Sequence, residues 1–406
     1  MLTTEQKQQF SNILEELGKS LDITEEQHKK AVKSYEFVGN WLAADDSLLA
    51  RYKPEILPQG SFMLGTMIKP VVEDDELDID LVCRLEGKQP YWTQYDLKQK
   101  VGDRLKEHGT IKDLLKIPDG RRCWTLDYKG DFHMDVLPSI VSSGYRMVLE
   151  KAFASTGWAD FSSLEIRITD KKRKDYRTET LPERWLKSNP FGYGIWFAQK
   201  ASLSLEKRVL LSKAVQPVPA YQKEKLPLQR VVQILKRHRD MWADGDEHKP
   251  ISIIITTLAG KAYRKETSII EALINVVNSM ENYIEDRYVP ELGKTIKWIA
   301  NPVNEEENFA DKWVEVPQKQ TNFYKWLEQV KADINKMTQR RGLQMIQESL
   351  EKPFGENVVR KAFSTYGDNL LKQRESGTLK MAAGTGILGS TGRTSVPQHK
   401  PFGKNE

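Results

Sequence analysis

At 406 residues, 39% hydrophobic and 29% charged, the chain reads as a soluble globular protein with core enough for two domains or one bilobal body. Its 62 basic and 57 acidic residues leave a formal charge of +5, too small an excess for a general nucleic-acid binder, and its apolar windows are broken by charge, against a membrane span. Two cysteines, Cys83 and Cys123, exclude a disulfide framework or a self-sufficient structural zinc site; the six histidines are scattered, and MLTTEQKQQF lacks a basic-then-apolar leader, so a cytoplasmic location is expected.

In chain order, Thr3 to Gln6 opens like a capping box, with Phe10, Ile13, Leu14 and Leu17 at helical spacing and Gly18 and Asp22 as its expected end. A second box, Thr24 to Gln27, starts a longer helix with Ala31, Val32, Tyr35, Val38, Trp41 and Leu42 on one face. Pro54 to Pro58 is a short strand followed by the turn Gly60-Ser61. Glycine lets backbone approach a ligand closely, and helix-initial N–H groups beginning there would face a phosphate, with the Ser61 hydroxyl as a further donor. An ordinary N-capping serine after a turn glycine fits the same residues.

Leu77 to Val82 reads as an apolar strand carrying Asp78 and Asp80. Side chains alternate faces, so the two carboxylates share one side and Leu77, Ile79 and Leu81 the other. Paired carboxylates on a rigid strand repel unless a cation or proton intervenes, and hard cations such as Mg2+ take such oxygen ligands; a solvated acidic strand edge is the alternative. Thr93 to His108 is expected as a helix. Arg122 to Asp127 and Asp131 to Leu137 form a hairpin around Gly130, placing Asp135 among Phe132, Met134, Val136 and Leu137, where a bare carboxylate needs a partner.

Further strands are expected at Tyr145 to Leu149 and Leu164 to Ile168, and the basic run Asp170 to Arg177 as a solvated loop. Asn189 to Tyr193 with Trp196 and Phe197 marks a turn and a helix start. Helices are then expected along Leu228 to Met241, Ser252 to Lys265, Ile269 to Arg287 and Gln318 to Leu350, with Phe309 and Trp313 packed and Glu305 to Glu307 exposed. Ser376 to Glu406, glycine-rich and poor in large apolar residues, is expected to be a mobile tail.

Together, GSFMLGTMIKP, ELDIDLV, FHMDVLP, LPLQRVVQILKRHRD and ISIIITTLA resemble the bacterial relatives of cyclic GMP-AMP synthase, the CD-NTases of antiphage systems (CBASS), over about Gln59 to Trp326. The resemblance implies an α+β protein: a DNA polymerase beta-like nucleotidyltransferase fold, with mixed sheet and N-terminal helical spine, over residues 1–200. It further implies a helical C-terminal lobe like that of the oligoadenylate synthases over 201–372, and a flexible tail over 373–406.

The implied function is metal-dependent joining of NTPs, ATP among them, into a cyclic di- or trinucleotide second messenger. Asp78, Asp80 and Asp135 would be catalytic and would bind two Mg2+ ions, with Mn2+ as the alternative metal. Gln59, Gly60, Ser61, Lys236 and Ser252 would contact nucleotide. An E1-like enzyme acting on the tail near Gly403 and a cyclic-nucleotide-activated effector are the implied partners. A linear oligonucleotide synthase or RNA-tailing enzyme would use the same three aspartates, and a catalytically idle nucleotide- or nucleic-acid-binding module is the non-enzymatic alternative.

Overall fold

Thr3 and Thr24 each accept the backbone N–H of the glutamine three residues on, and Gln6 and Gln27 return to the threonine N–H. These reciprocal caps start helices α1 (Thr4–Leu21) and α2 (Glu25–Ala43). Gly18 does not end α1. A Cβ there would lie 2.6 Å from Arg230 Cδ, so this glycine makes room for a buried arginine.

The computed structural model describes residues 2–71, 76–154, 161–203 and 221–397. The chain divides into a sheet body, Ile23–Leu226 with Ala300–Phe309, and a helical body, Met1–Asp22 with Pro227–Ile299 and Ala310–Glu406. Helix α1 packs within the helical body. There Lys7 pairs with Glu271 at 2.6 Å, and buried Arg230 bonds Glu15 and Asp22 at 2.9 and 2.8 Å.

The sheet body is built on strands β1 (Glu55–Pro58), β2 (Leu77–Glu86), β3 (Trp124–Tyr128), β4 (Phe132–Val141), β5 (Ile166–Ile168) and β6 (Leu186–Ser188). Their order is β1-β2-β4-β5-β6, with β3 also paired to β4 and the central β2/β4 pair parallel. Ile79, Leu81, Cys83, Met134 and Val136 are buried in one core with Tyr35 and Val38 of α2 and with Leu97 and Val101 of α4 (Gln94–Glu107; α3 is described with the site). Covering this apolar face leaves the alternate residues of each strand on the other side. Trp124 seats β3 on α4: its Nε1 donates to Lys98 O at 2.8 Å, across Gly102, where any Cβ would overlap the indole.

Several expectations change. Tyr145 to Leu149 is not a strand; Tyr145–Ala154 is helix α5, and burial of Tyr145, Leu149 and Ala152 follows helical spacing. Helix α6 (Pro190–Ala201) starts as expected, its Asn189 cap accepting the Gly192 N–H at 2.9 Å.

The helical body contains α7 (Pro227–Ala243), α8 (Ser252–Ala262), α9 (Ile269–Ser279), α10 (Pro317–Gln339), α11 (Leu343–Phe354) and α12 (Glu356–Glu375). The helix expected to reach Arg287 stops at Ser279, and Arg287 lies in β7 (Glu285–Val289), which pairs with β8 (Lys294–Trp298) across a turn holding Pro290 and Gly293. Gly342, at φ +79, splits the single helix expected from Gln318 to Leu350. Trp313 is buried beside Phe323 at 5.3 Å, while Glu305 and Glu306 are exposed.

The expected mobile tail is instead built into the helical body as far as residue 397. Lys380–Met381 pairs with Leu388–Gly389 and Thr394–Ser395; Leu379 and Ala382 are buried, and the Leu388–Gly389 strand packs on α1 and α12. Backbone pairing and a few small apolar contacts replace the large side chains whose scarcity suggested disorder. Gly403 lies outside the described residues.

Candidate active site

Strand register assembles the site. Parallel pairing sets Asp80 beside Asp135 and Asp78 beside His133, and antiparallel pairing of β3 adds Thr125 beside Asp135 and Asp127 beside His133. All six lie on the face away from the apolar core. Asp80 and Asp135 are half-buried, whereas the Asp78 side chain is 87% exposed. The Thr125 hydroxyl donates to Asp135 Oδ1.

The Gly-Ser turn abuts this row. β1 pairs with β2 so that Pro58 faces Leu81, and the Gln59 N–H donates to Asp80 O at 2.8 Å. Gly60 follows at φ +58, and a Cβ on it would lie 2.6 Å from Asp80 Oδ2. The short helix α3 (Gly60–Leu64) then carries Ser61 at its second position and is fixed from behind: Phe62 stacks on His28 at 5.0 Å, and Lys225 Nζ donates to Gly65 O at 2.9 Å. Three carboxylates, all oxygen donors, beside a cradle that a Cβ would fill, suit a hard divalent cation.

One step along the same face, Glu76, Asp127 and His133 come together, with ligand-type atoms all within 4.8 Å of one another. His133 Nε2 lies 2.6 Å from Glu76 Oε2 and 2.7 Å from Lys116 Nζ, while Glu76 Oε1 accepts the Gly130 N–H at 2.8 Å. Lys116 therefore brings positive charge to this trio. Sequence reasoning missed it because Glu76 is far in the chain from Asp127 and His133 and because the pairing depends on register; the alternation of Thr125 and Asp127 across the Gly130 hairpin from His133 and Asp135 was the available signal. Cys123 adds no nucleophile: burial, then the charges of Asp135 and Asp80, push its thiol up to about 12, so it stays protonated.

The run Asp170 to Arg177 is more than solvated surface. The Asp170 side chain is fully buried and accepts from Arg121 Nε at 2.6 Å and Arg122 Nε at 2.9 Å, and Asp119 pairs with Lys98 at 2.8 Å and Lys171 at 2.5 Å. These ion pairs anchor the loop that leads into β3.

Lys236 and Ser252 belong to the helical body, whereas the carboxylates belong to the sheet body. Lys236 is buried on α7. Ser252 is the first residue of α8 rather than its cap, which is Ile251, and its hydroxyl accepts from Arg239 Nη1 at 3.1 Å.

Residues 54–138, which span β1 through most of β4 and so include the three aspartates and the Gly-Ser turn, match the family model described as "Cyclic GMP-AMP synthase DncV-like, nucleotidyltransferase domain". Among named relatives, a c-di-GMP synthase of Roseivirga ehrenbergii is 28% identical over 388 residues, covering 95% of this chain and 94% of that one. The cyclic dinucleotide synthase CdnG of Bradyrhizobium diazoefficiens is 25% identical over 385 residues, covering 90% and 85%. The solved structure of that CdnG in complex with GTP has a TM-score of 0.62 at 20% identity and covers 88% of this chain and 99% of its own. The α+β class and the DNA polymerase beta-like nucleotidyltransferase fold stand as expected.

Proposed function

We propose that this chain, which is a CD-NTase and a nucleotidyltransferase, joins two nucleoside triphosphates into a cyclic dinucleotide at Asp78, Asp80 and Asp135, releasing pyrophosphate. The observation that carries the reading is the side-by-side register of Asp80 and Asp135, with Gly60 closed down on Asp80.

Phosphoryl transfer asks for positioning and charge neutralisation more than for covalent chemistry. In each step a ribose hydroxyl oxygen of one nucleotide forms a bond to the α-phosphorus of the other and the bond to pyrophosphate breaks; the second step closes the ring. Asp135 takes the hydroxyl proton, and Asp78, Asp80 and Asp135 would hold the divalent cations, two Mg2+ ions or Mn2+. Those cations, when bound, would supply charge neutralisation for the triphosphate and acidify the attacking hydroxyl. Gln59, Gly60 and Ser61 orient the phosphates: a glycine at φ +58 lets backbone approach where a side chain would intrude, and Ser61 adds its hydroxyl. Lys236 and Ser252 carry the remaining nucleotide-binding roles; Lys236→Ala should raise KM, with the melting temperature as control for its burial.

The names of the relatives, a c-di-GMP synthase and a CdnG solved with GTP, put GTP first among substrates, with ATP as the competing base. We extend the proposal to antiphage signalling through an effector activated by the cyclic product. No helix among the described residues is long and apolar enough to cross a membrane.

Incubation with each labelled NTP and with mixtures, in Mg2+ or Mn2+, then phosphatase treatment, tests the reading. A phosphatase-resistant dinucleotide supports it. A product that loses terminal phosphate makes the enzyme a linear synthase, and no incorporation at all leaves only a binding module.

A further inference from the structure

We propose that Thr125 is a positioning residue for the third catalytic carboxylate: its hydroxyl fixes the orientation in which Asp135 meets the metal and the attacking hydroxyl. The inference rests on the metal-dependent reading of Asp78, Asp80 and Asp135.

Among the described residues, Thr125 Oγ1 is the one hydrogen-bond donor to the Asp135 carboxylate. The two are register partners on β3 and β4, and Asp80 flanks Asp135 on the other side, on β2. Two carboxylates side by side repel, so without a fixed donor Asp135 would turn away from Asp80 and lose a shared ligand geometry. Thr125 is itself well held. Its backbone carbonyl accepts the Lys116 N–H at 2.9 Å, and its chain neighbours Trp124 and Leu126 are buried, the former tied to α4. A β-branched side chain on such a strand has restricted χ1, so the hydroxyl presents a defined direction rather than a rotor. Groups that bond metal ligands from behind typically change metal affinity or activity about 10- to 100-fold when removed.

The test compares Thr125→Val and Thr125→Ala, which lose the hydroxyl, with Thr125→Ser, which keeps it, and with Asp135→Asn. Mn2+ is titrated into the full chain with non-hydrolysable ATP and GTP analogues and followed by electron paramagnetic resonance; melting temperature is measured in parallel. We expect Thr125→Val to weaken Mn2+ binding about tenfold with little change in melting temperature, Thr125→Ser to restore it, and kcat to fall more than KM rises. Thr125→Ala carries the same readout if the valine variant does not fold. Wild-type Mn2+ affinity in both hydroxyl-less variants, with loss in Asp135→Asn, overturns the positioning role alone. Wild-type affinity in Asp135→Asn overturns the metal reading and this inference with it.

Discussion

A Cβ on Gly60 would lie 2.6 Å from Oδ2 of Asp80, and Gly60 sits at φ +58, in the left-handed region. Gly60→Ala therefore meets two penalties. The backbone strain costs about 1–2 kcal/mol, while the collision is with the end of a short side chain, which yields by rotating. The fold should survive with a modestly lower melting temperature. Turnover should fall about a hundredfold, the scale of an ångström-sized misplacement of a catalytic group. Steady-state turnover beside a melting curve checks this; wild-type turnover in a folded Gly60→Ala protein would show that the contact does not matter to the site.

Asp170 should make the sheet body acid-sensitive. Burial alone would raise its carboxyl, but the hydrogen bonds from Arg121, the Lys172 N–H and Arg122 outweigh it and hold the group below its ordinary value. A carboxyl depressed in the folded state contributes stability above its unfolded value of about 3.9. That contribution is lost as pH falls through the folded value. Asp170→Asn should lower stability near pH 7 by about 2 kcal/mol, and its urea midpoint should fall less steeply than wild type between pH 5 and 3. Parallel pH profiles in the two proteins would contradict the assignment.

Removal of residues 376–406 should destabilise the helical body, because Leu379 and Ala382 are buried and the Leu388–Gly389 strand packs on α1 and α12. Gly392 belongs to this packing: a Cβ there would lie 2.3 Å from the Met381 carbonyl carbon. A truncated chain that melts at the wild-type temperature would contradict the packed segment.

What was legible in the sequence was whatever has a local period or a local cap. The Thr3 and Thr24 boxes, the alternation that puts Asp78 and Asp80 on one face, and the lone Asp135 among apolar strand residues were all readable in a few residues of chain. Register was not. The alternation across the Gly130 hairpin was compatible with Thr125 facing Asp135, but the pairing itself, and the arrival of Glu76 beside Asp127 and His133, depend on register, because a one-residue slip would send each to the other face. Glycines misled in both directions. Gly18 looked like a helix stop and proved a packing gap for Arg230, while Gly342 breaks the helix expected to run from Gln318 to Leu350. The tail misled because disorder was inferred from missing large apolar residues, whereas short strands against two helices need few.

The most direct test of the central claim is the rate of labelled NTP incorporation by Asp80→Asn, by Asp135→Asn and by the double variant, each beside a melting curve. Asparagine keeps the size of each side chain and removes the charge, leaving the buried face of Ile79, Leu81, Met134 and Val136 untouched, so folding should persist. Losing about 4 kcal/mol of transition-state stabilisation corresponds to a rate about a thousandfold lower. That fall is the expected result for each single variant, with little further loss in the double because the two carboxylates act as a unit. Near wild-type incorporation by a folded double variant would contradict it, and would mean that the carboxylate pair is only a solvated strand face.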